Sequence, residues 1–217
     1  MPDSAQPVAA PVLSLEALPA PAGLRERLEA LRDPGGAHVV TLCAVPPGEA
    51  GPGFSAADLL WFERFPLPLI FAFEGNLAGP WLDVALACDL RVCDEGSTFD
   101  LSAIAADYTP ARLRLLGGAG LESPLAAQAA FGAGLVSAVA PPAGAVQEAR
   151  RLAGTIASRG PIAVRLAKEA IWRGLKMEFE QALRFETDLT LLLQTTKDRA
   201  EGVRAFLEKR PPHFTGE

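Results

Sequence analysis

The spacing of apolar residues changes along the chain, and the changes mark its elements. Leu24, Leu28 and Leu31 fall at i, i+4 and i+7, one stripe of a helix that opens at Pro21. Asp33-Pro34-Gly35-Gly36 ends it with turn chemistry. Residues 39–45 are a continuous apolar run with one Thr, which reads as a buried strand stopped by Pro46-Pro47-Gly48. A Gly/Pro-rich loop follows. Ser55-Ala56-Ala57-Asp58 resembles a capping box opening a short helix over 59–65, which Pro66 and Pro68 terminate. Residues 69–73 predict the next strand, 81–88 a helix after Gly79-Pro80, 90–93 a strand, and 98–101 a brief strand. Residues 102–124 carry no clear period. A small Ala-rich helix is expected over 124–131 and a strand over 135–139.

From Ala143 the pattern becomes helical. Ala149, Leu152, Ala153 and Ile156 form one stripe, and Gly160-Pro161 opens another helix that runs through Lys168 and Ile171. Residues 177–193 predict a third. Asp198-x-x-Glu201 reads as a capping-box start for a last helix ending near Lys209. A short strand is expected at 12–15. The division is therefore a Pro/Ala-rich, disordered segment at 1–11, an α/β core at 12–142, and a helical region at 143–217.

Composition narrows the function classes. At 217 residues, with 49% hydrophobic and 21% charged, the chain suits one domain or one domain with an appended element. The net charge of −6 argues against a broad grip on nucleic acid or a membrane surface. Cys43, Cys88 and Cys93 sit among apolar neighbours and predict reduced core thiols. Two His, no CxxC and no HxxxH argue against structural zinc. Neither a transmembrane run nor the pattern of a signal peptide is visible, which predicts a soluble, cytoplasmic protein. No Walker loop or GxSxG occurs, and Gly117-Gly118-Ala119-Gly120 lacks the preceding strand that a dinucleotide fingerprint requires.

Several ordered motifs point to one family. Residues 68–79 (PLIFAFEGNLAG) followed by 82–91 (LDVALACDLR) resemble the crotonase, or enoyl-CoA hydratase/isomerase, superfamily. Phe54 to Leu59 (FSAADL) is similar to its F-S-A-G-A-D-L segment, Gly134-Leu135-Val136 to its G-L-V turn, and 198–214 to its C-terminal D-x-x-E-G-x-x-A-F-x-E-K-R pattern. The resemblance implies a crotonase-like (ββα)n spiral core with a C-terminal helical trimerisation region. It implies an acyl thioester substrate, on CoA or a carrier protein, and no cofactor beyond the CoA of the substrate. A homotrimer or dimer of trimers is the implied assembly.

In that family two backbone N–H groups hold the thioester oxygen while negative charge develops on it. By resemblance the first donor is Ala57. The second falls on Pro80, which has no N–H, so Trp81 is the substitute. The carboxylate on the following helix maps to Asp83. The second carboxylate maps to Ala103, which cannot transfer a proton, leaving Asp100 and Asp107 as nearby acids. CoA contacts carry over to Ala56, Asp58, Leu59, Phe206 and Lys209. Two pocket segments are shortened, between Asp58 and Pro66 and between Ser102 and Gly134. Two readings follow: a hydratase/isomerase-like enzyme with a degenerate site, or a non-catalytic acyl-CoA-binding or assembly subunit. For Asp83 alone, a plainer reading is a first-turn carboxylate favoured by the helix dipole.

Overall fold

The computed structural model describes residues 12–14, 21–31, 39–44, 53–103 and 123–217. Five parallel strands form the main sheet: β1 (Val12–Ser14), β2 (Val40–Ala44), β3 (Leu69–Phe73), β5 (Leu90–Asp94) and β8 (Ala138–Ala140), side by side in that order. A smaller sheet pairs β4 (Asn76–Leu77) with β6 (Thr98–Phe99) in parallel, and β6 with β7 (Leu125–Ala126) antiparallel. The helices of the core are α1 (Pro21–Ala30), α2 (Ala56–Glu63), α3 (Gly79–Ala87) and α4 (Ala127–Gly132). Four more follow: α5 (Ala145–Ala157), α6 (Pro161–Gly174), α7 (Phe179–Gln194) and α8 (Lys197–Glu208).

Alternation along β3 sets the layers. Successive side chains of a strand point to opposite faces. Leu69, Phe71 and Phe73 enter one core with Leu59, Phe62, Leu82 and Val84 from α2 and α3. Ile70 and Ala72 enter the other, against Ala145, Ala149 and Ala153 of α5. Every residue of β3 is buried, as befits a central strand covered on both faces. Small residues along α5 let that helix lie close to the sheet. The three cysteines are buried as free thiols. Burial pushes Cys88 and Cys93 up to about 12, so both stay protonated and unreactive near neutral pH.

Most elements lie where the hydrophobic pattern puts them, and the ends differ for identifiable reasons. Ser55 does form a capping box, accepting from the Asp58 N–H while Asp58 accepts from the Ser55 N–H, so α2 starts at Ala56 rather than Leu59. Helix α3 starts at Gly79, two residues early, because Gly79 takes a φ of +58° and turns the chain out of β4. Leu125 and Ala126 join the small sheet before α4 begins. The expected strand over 98–101 stops at Phe99, and residues Leu101–Ala103 form a 3-10 turn. The capping box expected at Asp198 is not formed. Thr196 caps α8 instead, accepting from the Arg199 N–H, and Asp198 takes another role.

That role is holding the C-terminal tail. Asp198 accepts N–H groups from Thr215 at 2.7 Å and Gly216 at 3.0 Å. Glu201 accepts from Nη1 and Nη2 of Arg210 and from the His213 N–H. Arg210 first, and the His213 N–H second, hold the Glu201 carboxyl down at about 2. A depressed carboxyl contributes stability above its unfolded value of 4.5, and that contribution is lost as pH falls toward about 2. The tail over 211–217 is therefore expected to loosen from α8 in that window. Hydrogen exchange at the His213 N–H, measured across it, reports the release; protection unchanged down to pH 2 contradicts it.

Arg91 ties β5 to α3. Its Nε donates to the Leu135 carbonyl at 2.5 Å, and its Nη1 to the carbonyls of Ala85 at 3.1 Å and Cys88 at 2.7 Å. A cation placed on the last carbonyls of a helix satisfies groups that have no intrahelical partner and complements the dipole. Arg91→Met strands those carbonyls in a half-buried setting. It is expected to cost about 3 kcal/mol, read as a lowered denaturant midpoint.

Candidate acyl-thioester site

Of the residues singled out by sequence, Ala56, Ala57, Asp58, Leu59 and Trp81 lie in the first turns of two helices, α2 and α3. The two first turns are brought together by an edge-on contact between Phe54, just before α2, and Trp81, in the first turn of α3, with centroids 5.6 Å apart. Phe54 also meets Phe62 edge-on at 5.7 Å. Edge-to-face pairs of this kind fix relative orientation as well as burying area.

On α2, Ala56 and Ala57 are the first two helical residues and both are exposed. The first N–H groups of a helix have no intrahelical acceptor. Asp58 N–H is used by Ser55, whereas no acceptor among the described residues takes the Ala57 N–H. Ala57 lines a cavity of about 530 Å3 with Leu60, Trp61 and Arg64. Asp58 is committed to the cap through its carboxylate, and Leu59 is fully buried in the core. Of the carried-over group on this helix, only Ala56 and Ala57 face outward.

On α3, Gly79 and Pro80 are the first two residues. The helix therefore offers N–H groups from Gly79 and Trp81 but none from Pro80. Asp83 is 6% exposed and lies in the second turn, beyond the reach of a first-turn dipole explanation. Its side chain is not part of the cavity that Ala57 lines. Ala103 ends the 3-10 turn after β6, and Asp107 lies outside the described residues. Asp100 is occupied: its Oδ1 accepts from the Ser102 N–H at 3.0 Å, the Ser102 hydroxyl at 2.6 Å and the Ser123 hydroxyl at 3.0 Å. The Ser102 hydroxyl, then its N–H, lowers the Asp100 carboxyl, which stays ionised while it ties the turn to the start of β7.

Phe206 and Lys209 lie far along α8. Phe206 is 82% exposed, so it is not a core residue within this chain. It borders an apolar cavity of about 380 Å3 with Leu193, Val203, Leu207 and Phe214. Lys209 is exposed and ends α8 in the left-handed conformation, φ 54° and ψ 39°, where a glycine is commoner. Helix α7 has no buried residue, and Phe179, Leu183, Leu191 and Leu192 are exposed on it. No described helix is long and apolar enough to cross a membrane.

The comparison with known proteins is decisive at the family level. Residues 119–217 match the family model described as Enoyl-CoA hydratase/isomerase. The 2,3-dehydroadipyl-CoA hydratase of Escherichia coli is 36% identical over 171 residues, covering 72% of this chain and 67% of the relative. The chain belongs to the enoyl-CoA hydratase/isomerase family. The probable mitochondrial enoyl-CoA hydratase 2 of Arabidopsis thaliana is 34% identical over 168 residues, and the match spans 56% of its length. Among solved structures, an enoyl-CoA hydratase from Bacillus anthracis superimposes with a TM-score of 0.74 at 28% identity, covering 95% of this chain and 91% of that one. The fold is thus the crotonase fold of the enoyl-CoA hydratases, an α/β core with C-terminal helices.

Two features escape the sequence. The Arg91 network depends on carbonyls at the end of α3 and beyond α4, and only the Arg following Cys88-Asp89 hints at it. A basic and aromatic cluster around Trp172 brings together residues roughly a hundred positions apart, which no local pattern signals.

Proposed function

We propose that this family member acts on an acyl thioester, CoA-bound or carrier-bound, by proton transfer or hydration beside the carbonyl, at a site altered from the family pattern. Asp83 is the acid/base, and the Ala57 N–H, with Trp81 N–H in place of the proline position, holds the oxygen. The observation that carries this reading is the meeting of the first turns of α2 and α3 at Phe54 and Trp81, with the buried carboxylate of Asp83 one turn further on. Helix N-termini favour negative charge, and an enolate oxygen is such a charge.

With Ala103 at the second carboxylate position, one carboxylate performs both halves of the transfer. Asp83 takes a proton from the carbon next to the thioester carbonyl as charge moves onto the oxygen. It returns the proton two carbons along as the double bond shifts, so atoms and charge balance. Hydration is the alternative use of the same group: it takes a proton from water as the water oxygen joins the β-carbon, and delivers one to the α-carbon.

A second reading has an observation of its own. Pro80 removes a donor from the place where the family pattern has one, which favours an acyl-CoA-binding or assembly subunit without turnover. Turnover of a panel of conjugated and unconjugated enoyl-CoA thioesters, run beside calorimetric titration, separates the two. Turnover upholds the enzyme. Binding without turnover upholds the subunit, and absence of binding contradicts both.

Assembly into a homotrimer or dimer of trimers through the C-terminal helices belongs to the same proposal. The exposed apolar residues of α7 and α8 support it, since this much apolar surface marks an interaction face. So does a cytoplasmic setting, in which the three thiols would stay reduced.

A further inference from the structure

A cavity of about 340 Å3 lies between the end of α2 and the outer face of α6, and Arg64, Phe65 and Pro66 border both it and the cavity that Ala57 lines. Glu63, Arg64, Arg165, Lys168, Trp172 and Arg173 are among its lining residues. That volume falls at the small end of ligand pockets, which run from about 300 to 1,000 Å3.

The charge there is not balanced. Lys168 pairs with Asp89 at 2.7 Å, Arg173 with Glu169 at 3.1 Å, and Lys176, which flanks the cavity, with Glu63 at 3.7 Å. Arg64 and Arg165 have no carboxylate within ion-pair distance among the described residues, and both are exposed. Two guanidinium groups without a carboxylate partner among the described residues, on a protein of net charge −6, form a local exception to its overall field.

Trp172 lies between these cations. The Arg64 guanidinium lies over its ring at 5.2 Å from the centroid, and Lys176 Nζ at 3.9 Å. Its Nε1–H is buried and has no acceptor among the described residues. Two planar guanidinium forks are donors whose geometry matches a phosphate. Phe65 and Pro66 add an apolar wall for an organic portion.

The geometry points to a site for a phosphate ester, bound by the Arg64 and Arg165 guanidinium groups beside the Trp172 ring. The phosphate comes either from a free phosphorylated metabolite or from the nucleotide end of a CoA molecule. The proposal stands on this cluster alone and survives failure of the thioester reading.

The test follows the indole N–H resonances of the full chain in proton–nitrogen spectra, with inorganic pyrophosphate as probe. Trp172→Phe identifies the Trp172 signal by its disappearance. That signal is expected to move saturably with pyrophosphate, and not with sodium chloride of equal ionic strength. The Arg64→Gln/Arg165→Gln double variant changes only exposed side chains and should keep the dispersed spectrum of a folded chain. It is expected to weaken binding by about tenfold or more. No movement, equal movement with sodium chloride, or undiminished affinity in the double variant overturns the site. Prior saturation with CoA assigns the source: competition identifies the CoA phosphates, and undisturbed pyrophosphate binding identifies a separate metabolite, the site standing in both cases.

Discussion

Asp83→Asn is expected to lower turnover of enoyl thioesters by about a hundredfold or more, the low end of what a positioned acid/base contributes, with little change in stability. The substitution keeps the shape of the side chain and removes its ability to carry a proton. Asp83 is 6% exposed and belongs to the second turn of α3, so the helix dipole does not explain its presence there. The measurement is the rate of change in conjugated-thioester absorbance for wild type and variant, beside a denaturant melt of each. A rate loss at constant stability assigns the proton transfer to Asp83. Equal rates remove it from the mechanism, and a loss of stability that accounts for the lost rate makes it a structural acid.

Strands β2 and β3 were legible because they are buried on both faces, so residues 39–45 and 69–73 read as continuous apolar runs without any tertiary information. Helix ends were less legible, since capping groups compete. Asp198 and Glu201 have the spacing of a capping box, but the tail beyond Lys209 offers them backbone N–H groups, and Thr196 is left to cap α8. Gly79 moved the start of α3 for a backbone reason, a positive φ that the hydrophobic pattern does not encode. At the site, motif order brought Phe54, Ala57, Trp81 and Asp83 to notice, and the structure places the Phe54 and Trp81 rings edge to face. Exposure cannot be read from motifs. Leu59 is buried in the core and Phe206 faces outward, though both carry over as CoA contacts. The Trp172 cluster was invisible, because Arg64 and Trp172 meet only through the packing of α6 beside α2.

Pro80→Gly is expected to raise turnover by about tenfold to a hundredfold, approaching the value of one oxyanion donor, because the Trp81 N–H, one residue along the helix, replaces the donor at position 80 only in part. The second residue of α3 has no N–H as the sequence stands, and Gly or Ala would supply one without altering a side-chain contact with substrate. Loss of proline's fixed φ at a helix start should cost stability by about 1 kcal/mol or less. Pro80→Ala is the informative companion. It restores the same N–H with much less backbone freedom than Gly. If both variants gain, the N–H is responsible. If only Gly gains, loosening of the turn around Gly79 is responsible. If neither gains while wild type turns over, the Trp81 N–H already serves as the donor, and the Pro80 position is a substitution the chain has absorbed by shifting the oxygen one residue along the helix.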